Sequence, residues 1–350
     1  MVKMLSAPLD VCFGITNQCN LNCKHCLAAD SRNSQDLSKN ELLNIIGQIK
    51  ELRIFNVAIF GGEPLMRKDF FTIIDALSKL KLNLSLNTNG TLISKDMAKR
   101  LAQYPIKTYT VSLDGSCKKV QDPFRGKGSF AKTIKGIQNL ITQGQNVLIS
   151  TIVTRFNYRD IEKIILLGKK LGARQVRFNE VMYIGNAACY HKSLIMTARE
   201  KLRLLDNLRA LKNSFDGFVT GSILQVIDIM EEIKRKPKER FPLQISPCGA
   251  ATQKCAIRPD GWVVPCEILW ELKAGNLKKE SLYDIWHNSS IMKAFRETIE
   301  IKEEEIPGCK GCGYLRLCYK GHRCQPYYYP GAKFEHKEFY CWRQDFCGAE

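Results

Sequence analysis

The chain has 350 residues, enough for more than one domain and a large core. Hydrophobic residues make up 45% and charged residues 25%, the balance of an ordinary water-soluble globular protein, and no apolar run nears a membrane span. The formal charge of +18 raises nucleic acid as a partner, but no aromatic platform interleaves with the basic residues, which argues against it.

Met1 to Asp10 carries neither an apolar signal core nor a small-residue cleavage site, so the expected location is the cytoplasm. Fifteen cysteines in such a chain argue for metal binding or catalysis over disulfides. Four lie between Cys12 and Cys26 and nine between Cys248 and Cys347, with only Cys117 and Cys189 between the two groups. Two metal regions at opposite ends of the chain are expected.

The first strand is predicted over Leu9 to Ile15, directly before a cysteine loop. Ser38 caps the first helix, with Glu41 completing a capping box, and Leu42, Leu43, Ile45, Ile46, Ile49 and Leu52 recur at helical spacing. A short β-branched strand, Asn56 to Phe60, stops at Gly61-Gly62-Glu63-Pro64. Helix Asp69 to Leu80 and strand Leu82 to Leu86 follow, ending in Asn87-Thr88-Asn89-Gly90. Ser94 caps a helix through Leu101, and strand Lys107 to Leu113 ends at Asp114-Gly115. Helix Phe130 to Thr142, strand Asn146 to Val153, helix Ile161 to Leu171 and strand Gln175 to Val181 complete the alternation.

Six strands alternating with helices predict an α/β fold with parallel strands and right-handed crossovers. A closed eight-unit barrel needs roughly 250 residues, so the expectation is an open, partial (β/α)6 barrel of the TIM type over residues 1–185. A helical bridge over 186–244 follows, with helices at Thr197 to Leu211 and Ile223 to Lys234 and a basic linker, Lys234 to Arg240. Residues 245–350 read as a small, cysteine-rich, loop-rich domain that bound clusters would cross-link.

Polar and glycine motifs fall at the C-terminal ends of the strands, where parallel α/β folds place their chemistry. There, Cys19, Cys23 and Cys26 stand at C-x3-C-x2-C spacing. Iron–sulfur clusters are normally held by four thiolates, and three leave one iron open to a chelating ligand. A structural zinc ion would instead want a fourth protein ligand, for which His25 is a candidate. Gly61 and Gly62 let backbone approach a ligand closely, and Glu63 offers a carboxylate to an ammonium group. Arg155, Arg177, Asn179 and Glu180 are further candidates to face the same pocket.

The cysteine loop and the Gly-Gly-Glu-Pro turn one strand later resemble the signature of the radical S-adenosylmethionine (SAM) superfamily. The resemblance implies a 4Fe–4S cluster on Cys19, Cys23 and Cys26 whose open iron is chelated by the amino and carboxylate groups of SAM. It places His25 where an aromatic residue contacts the adenine. It gives Gly61, Gly62, Glu63 and Pro64 the amino group, and Asn87, Ser112 and Arg125 polar contacts to the ribose and carboxylate.

The second cysteine group resembles a SPASM domain, which binds two auxiliary 4Fe–4S clusters. Cys248 leads to Gly261-x4-Cys266, and Cys309-x2-Cys312-x5-Cys318 also matches. Cys324 follows after five residues where the family has three, and Cys341 comes last. The family pattern implies one cluster on Cys309, Cys312, Cys318 and Cys341. The other would take Cys248, Cys266 and Cys324, with Cys255 a candidate fourth ligand. Cys347 is surplus, either free or competing with Cys341, while Cys12, Cys117 and Cys189 are expected to be incidental or buried as small hydrophobes.

The activity this implies is reductive cleavage of SAM to a 5′-deoxyadenosyl radical that abstracts hydrogen from a substrate. His25-Cys26-Leu27 and the extra Cys255 resemble peptide maturases of the mycofactocin type, which implies cross-linking, decarboxylation or thioether formation on a ribosomally made peptide. Tetrapyrrole remodelling in haem synthesis and formylglycine formation on a sulfatase are alternatives within the family, and a non-enzymatic zinc or iron–sulfur protein is one outside it. An electron donor such as flavodoxin or ferredoxin is implied. With the first strand near residue 10, leader recognition is expected to fall to a separate protein or to be absent.

Overall fold

The computed structural model describes residues 5–29, 32–182, 184–215, 217–223 and 248–300. Helix Ile223 to Lys234, the basic linker, the 244/245 boundary and all cysteines from Cys309 onward fall wholly or largely outside them. Among the described residues, no helix is long and apolar enough to cross a membrane.

Strand β1 (Asp10–Thr16) pairs in parallel with β2 (Asn56–Gly61), and β3 (Asn83–Thr88), β4 (Ile106–Ser112), β5 (Val147–Val153) and β6 (Gln175–Glu180) extend the sheet in chain order. Between them run α1 (Lys39–Glu51), α2 (Phe70–Ser78), α3 (Lys95–Leu101), α4 (Lys118–Arg125), α5 (Ser129–Thr142) and α6 (Ile161–Leu171). The predicted capping box of α1 forms: Glu41 N–H donates to Ser38 Oγ at 3.3 Å, and Ser38 N–H donates to Glu41 Oε2 at 2.7 Å. Helix α4 escaped the sequence reading because it is short and holds Pro123 within it.

Four strands widen the sheet beyond the six expected. β7 (Val219–Thr220) adds in parallel to β6, after α7 (Asn186–Cys189), α8 (His191–Leu194) and α9 (Ala198–Ser214). At the other end, β8 (Lys254–Ile257) adds in parallel to β1, followed by the antiparallel strands β9 (Trp262–Val264) and β10 (Gly275–Asn276). The order is β10-β9-β8-β1-β2-β3-β4-β5-β6-β7, a partial barrel left open between its two ends. Residues 254–276 continue the barrel's sheet, and α10 (Leu282–Asn288) and α11 (Ser290–Glu300) follow.

Alternation along the strands separates two faces. Val11, Phe13, Ile15, Val57, Ile59, Leu86, Tyr109, Val111, Ile149, Val176 and Phe178 are fully buried in one apolar cluster with the helices. The residues between them, such as Asn87, Ser112, Ser150, Arg177 and Asn179, line a cavity inside the barrel. This inner face is polar where an uninterrupted α/β core would be apolar, so a ligand has room there.

Candidate functional site

The cysteine loop leaves the end of β1 and is fastened on three sides. Thr16 Oγ1 donates to Asp36 at 2.6 Å, and Asn17 N–H donates to the same carboxylate at 2.8 Å. From β2, Gly62 N–H donates to Thr16 O and Glu63 N–H to Gln18 O, both at 2.7 Å. From the far end of the barrel, Asn186 Nδ2 donates to Cys23 O at 2.9 Å and its backbone N–H to Cys26 O at 3.0 Å. Asn186 was not legible in the sequence, since its partners are distant and an asparagine at a helix start has a common local explanation.

The glycines of the second turn are required by contact. Gly61 has φ +149°, and a Cβ there would lie 2.2 Å from Thr16 O; one on Gly62 would lie 2.2 Å from Gln18 O. Only bare backbone lets this turn lie against the cysteine loop. Both glycines line the cavity.

Glu63 lies just behind the two glycines. Its side chain is fully buried and absent from the cavity wall, as is Pro64. The carboxylate accepts from Thr88 Oγ1 and Asn89 N–H at 2.8 Å each, and from Leu65 N–H at 3.3 Å. It thus holds the β3 loop. Burial raises its pKa to about 7 against these hydrogen bonds. The loop it holds matters in turn: Asn89 Nδ2 donates to Asn20 Oδ1 at 2.9 Å and approaches Cys19 Sγ at 3.9 Å.

Arg125 and His25 form the opposite wall. The Arg125 guanidinium is buried, pairs with Asp114, reaches Cys23 Sγ at 3.8 Å and contacts His25 Nε2 at 3.2 Å. His25 stacks on Phe124 with centroids 4.4 Å apart. Burial, opposed by Asp114 and helped by Arg125, lowers its pKa to about 4, so the ring is neutral. With a guanidinium donating to Nε2, the proton belongs on Nδ1, which is buried without a partner. An unmet donor beside the cavity fits a bound polar ligand.

The cavity, about 590 Å³, brings together Cys19, Cys23, Cys26, His25, Gly61, Gly62, Asn87, Ser112 and Arg125. That volume lies within the range of cofactor sites. Arg177, Asn179 and Glu180 on β6 also line it, whereas Arg155 pairs with Glu200 at 3.2 Å and does not. Burial raises the Cys23 thiol to about 11, with Arg125 opposing, so ligation there must release a proton. Among the described residues, no three Cys, His, Asp or Glu side chains gather tightly enough for one metal ion. A four-iron cluster takes one thiolate per iron and needs its ligands spread around a larger body, which suits this loop. His25, whose ring meets Phe124 and Arg125, does not complete a zinc site.

At the other end of the cavity stand Lys254 and Glu267, unnoticed in the sequence although they adjoin Cys255 and Cys266. Lys254 Nζ lies 3.3 Å from both Glu267 oxygens. Burial opposes ionisation of Glu267, but Lys254 and the Cys266 thiol hold its carboxyl below the usual range. Of the auxiliary ligand candidates, Cys255 and Cys266 are buried and Cys248 is half-buried.

The sequence matches the radical SAM superfamily over residues 13–168 and an iron–sulfur cluster-binding domain over residues 248–313. It is 30% identical over 322 residues to the mycofactocin maturase MftC of Mycobacterium ulcerans, with 91% of this chain and 83% of that one covered. To the AdoMet-dependent heme synthase of Methanosarcina barkeri it is 27% identical over 351 residues, covering 97% and 98%. Among solved structures, Streptococcus suis SuiB bound to precursor peptide SuiA shares the fold with a TM-score of 0.77 at 19% identity, covering 96% of this chain and 76% of that chain.

Proposed function

Because the chain belongs to the radical SAM superfamily and carries an iron–sulfur cluster-binding SPASM region, we propose that it is a maturase acting on a ribosomally made peptide. Its cofactors are SAM and 4Fe–4S clusters. When bound, these supply a 5′-deoxyadenosyl radical by reductive cleavage of SAM. Cys19, Cys23 and Cys26 hold the cluster at the cavity rim, each giving up its thiol proton. Gly61 and Gly62 present backbone to the SAM amino group, and Asn87, Ser112 and Arg125 orient its ribose and carboxylate. The unpartnered His25 Nδ1 supplies a donor at the adenine end. The β6 side chains Arg177 and Asn179 face the space left for substrate, and the closed apolar layer behind the strands keeps water from the reacting atoms.

The observation that carries the peptide reading is the likeness to MftC across nine-tenths of the chain. A flavodoxin or ferredoxin would supply the electron, and a separate protein would present the leader segment. The heme synthase likeness, which spans nearly the whole of both chains, favours a tetrapyrrole as the second reading.

The test is anaerobic reconstitution followed by SAM cleavage with reductant, in the presence of a short candidate precursor peptide or of a haem precursor. A mass change on the peptide, with 5′-deoxyadenosine formed in proportion, is expected. Turnover of the tetrapyrrole with an unmodified peptide would replace the first reading by the second. Cys23→Ala should form no 5′-deoxyadenosine under either condition.

A further inference from the structure

Most of the charge on the cavity wall is already matched. Arg125 pairs with Asp114, Lys254 Nζ lies 3.3 Å from both Glu267 oxygens, and Arg32 donates to Asn22 Oδ1 at 3.0 Å. Arg177 differs: it opens into the cavity and has no hydrogen bond or ion pair among the described residues. Burial in the barrel lowers its pKa and is the only influence on it, so no described carboxylate, Glu180 of the same strand included, stands close enough to raise it. The guanidinium stays protonated all the same. A cation withdrawn from bulk water without a counter-ion is a charge that an anionic ligand would complete.

The strand register supplies the surroundings. Ser112 on β4 pairs with Ser150 on β5, Ser150 with Arg177 on β6, and Arg177 with Thr220 on β7. Residues paired across a sheet project from one face, and the residues next to them from the other. One position earlier, Val111, Ile149, Val176 and Val219 pair in the same way and are packed in the apolar layer. The row from Ser112 to Thr220 therefore belongs to the inner face. Thr220 Oγ1 is buried without a partner, and among the described residues the side chains of Ser150 and Asn179 have no hydrogen bond either. Arg177 is thus flanked by hydroxyl and amide groups that are not committed elsewhere. Strands lie about 4.8 Å apart, which sets Arg177 about 10 Å along the wall from Ser112, the residue given to the SAM ribose.

We propose that Arg177 holds a carboxylate of the substrate, with the hydroxyls of Ser150 and Thr220 on the neighbouring strands as supporting donors. The proposal deepens the reading of β6 as the substrate-facing wall and rests on it. A planar guanidinium takes a carboxylate through two parallel hydrogen bonds, which fixes orientation as well as affinity. A peptide offers such a group at its C-terminus or on an acidic side chain, and a haem precursor offers its propionates. Arg177 acts by positioning and takes no part in the bond changes.

The reconstituted, SAM-loaded full chain tests this in two ways. The first needs no turnover: modification of Arg177 by phenylglyoxal, followed by mass spectrometry, with propionate as the probe and propionamide as its neutral counterpart. Propionate should slow modification of Arg177 several-fold and leave that of the exposed Arg199 unchanged, while propionamide should slow neither. Equal effects of acid and amide on Arg177 would overturn the proposal. The second compares wild type with Arg177→Gln and Arg177→Lys on a candidate precursor peptide and on a haem precursor. The peptide is supplied with its carboxylates free, with the C-terminus amidated, or with its acidic side chains amidated; the precursor has its propionates free or methylated. For the molecule that is turned over, neutralising the carboxylate that Arg177 holds should raise KM about tenfold or more. Arg177→Gln should raise KM for the free acid as much and no longer distinguish acid from neutral form, and Arg177→Lys should recover part of the loss. SAM affinity by equilibrium dialysis should stay within about twofold of wild type. A tenfold loss of SAM affinity in Arg177→Gln would assign Arg177 to the cofactor and overturn the proposal, as would continued discrimination between acid and neutral substrate by that variant. Turnover of neither molecule would refute the substrate readings of the previous subsection, and the protection by propionate would still decide the site.

Discussion

Glu63 shows how a single buried carboxylate can hold together the loops that build the site. It fixes Thr88 and Asn89, and Asn89 in turn meets Asn20 and Cys19 of the cluster loop. Its pKa, raised by burial from 4.5 to about 7, means the folded state holds a proton that the unfolded chain releases over that interval. Stability from this group is therefore full below the unfolded value and lost as pH rises through the folded one, on the order of 3 kcal/mol in all. Glu63→Gln removes the titration and offers one acceptor oxygen where two were used. One donor of the Thr88–Asn89 pair is left facing an amide N–H, at a cost of about 1–3 kcal/mol. Melts of the apo-protein should show the variant's deficit largest near pH 5 and smaller at pH 8; a constant deficit would contradict the linkage. The motif containing Glu63 was legible in the sequence because its glycines and carboxylate are contiguous. Its role was not, because the three donors that claim the carboxylate are set by where β3 ends in space. The same holds for Arg125, whose partners Asp114, Cys23 and His25 come from separate segments.

The β-strands and helices carry this positioning through close backbone approach. β2 ends with two glycines pressed on the carbonyls of Thr16 and Gln18, so the strand end and the cluster loop move as one body. Gly62→Ala would place a methyl group 2.2 Å from a backbone oxygen, and no side-chain rotation relieves that contact. The loop must shift by an ångström or more, and displacement on that scale weakens an oriented site about 100-fold. Equilibrium dialysis with SAM on the reconstituted variant should show at least a tenfold weaker affinity, while the far-UV spectrum keeps its α/β shape. Six strands and their helices were readable because each repeats its period over several residues. β7, with two residues, is too short to display any period, and α4 is disguised by Pro123. β8 has an ordinary length, but its pairing with β1 is a long-range choice that local pattern does not encode.

At the scale of the molecule, that pairing makes residues 254–276 part of the barrel's sheet. Leu37 N–H donates to Pro259 O at 2.7 Å, Leu282 N–H to Gln48 Oε1 at 2.7 Å and Trp286 Nε1 to Leu5 O at 2.9 Å. Gly14 approaches Ile257 O so closely that a Cβ would lie 2.9 Å away. A single apolar cluster runs from Val11 and Phe13 through Ile257 to Trp286 and Phe295. Cysteine density changes along the chain, and burial ties the described residues on both sides of that change together, since β1 needs a neighbour on each edge to satisfy its backbone. Trp286 is the largest fully buried side chain at this junction. Trp286→Ala removes its packing and leaves Leu5 O without its donor, for a loss of about 3–5 kcal/mol. If barrel and C-terminal region fold as one unit, the visible absorbance of the clusters and the far-UV signal of the barrel should fall together, at a temperature several degrees below wild type. Loss of the far-cluster absorbance well before the barrel signal, with the SAM-side cluster retained, would mean that the shared sheet does not couple them.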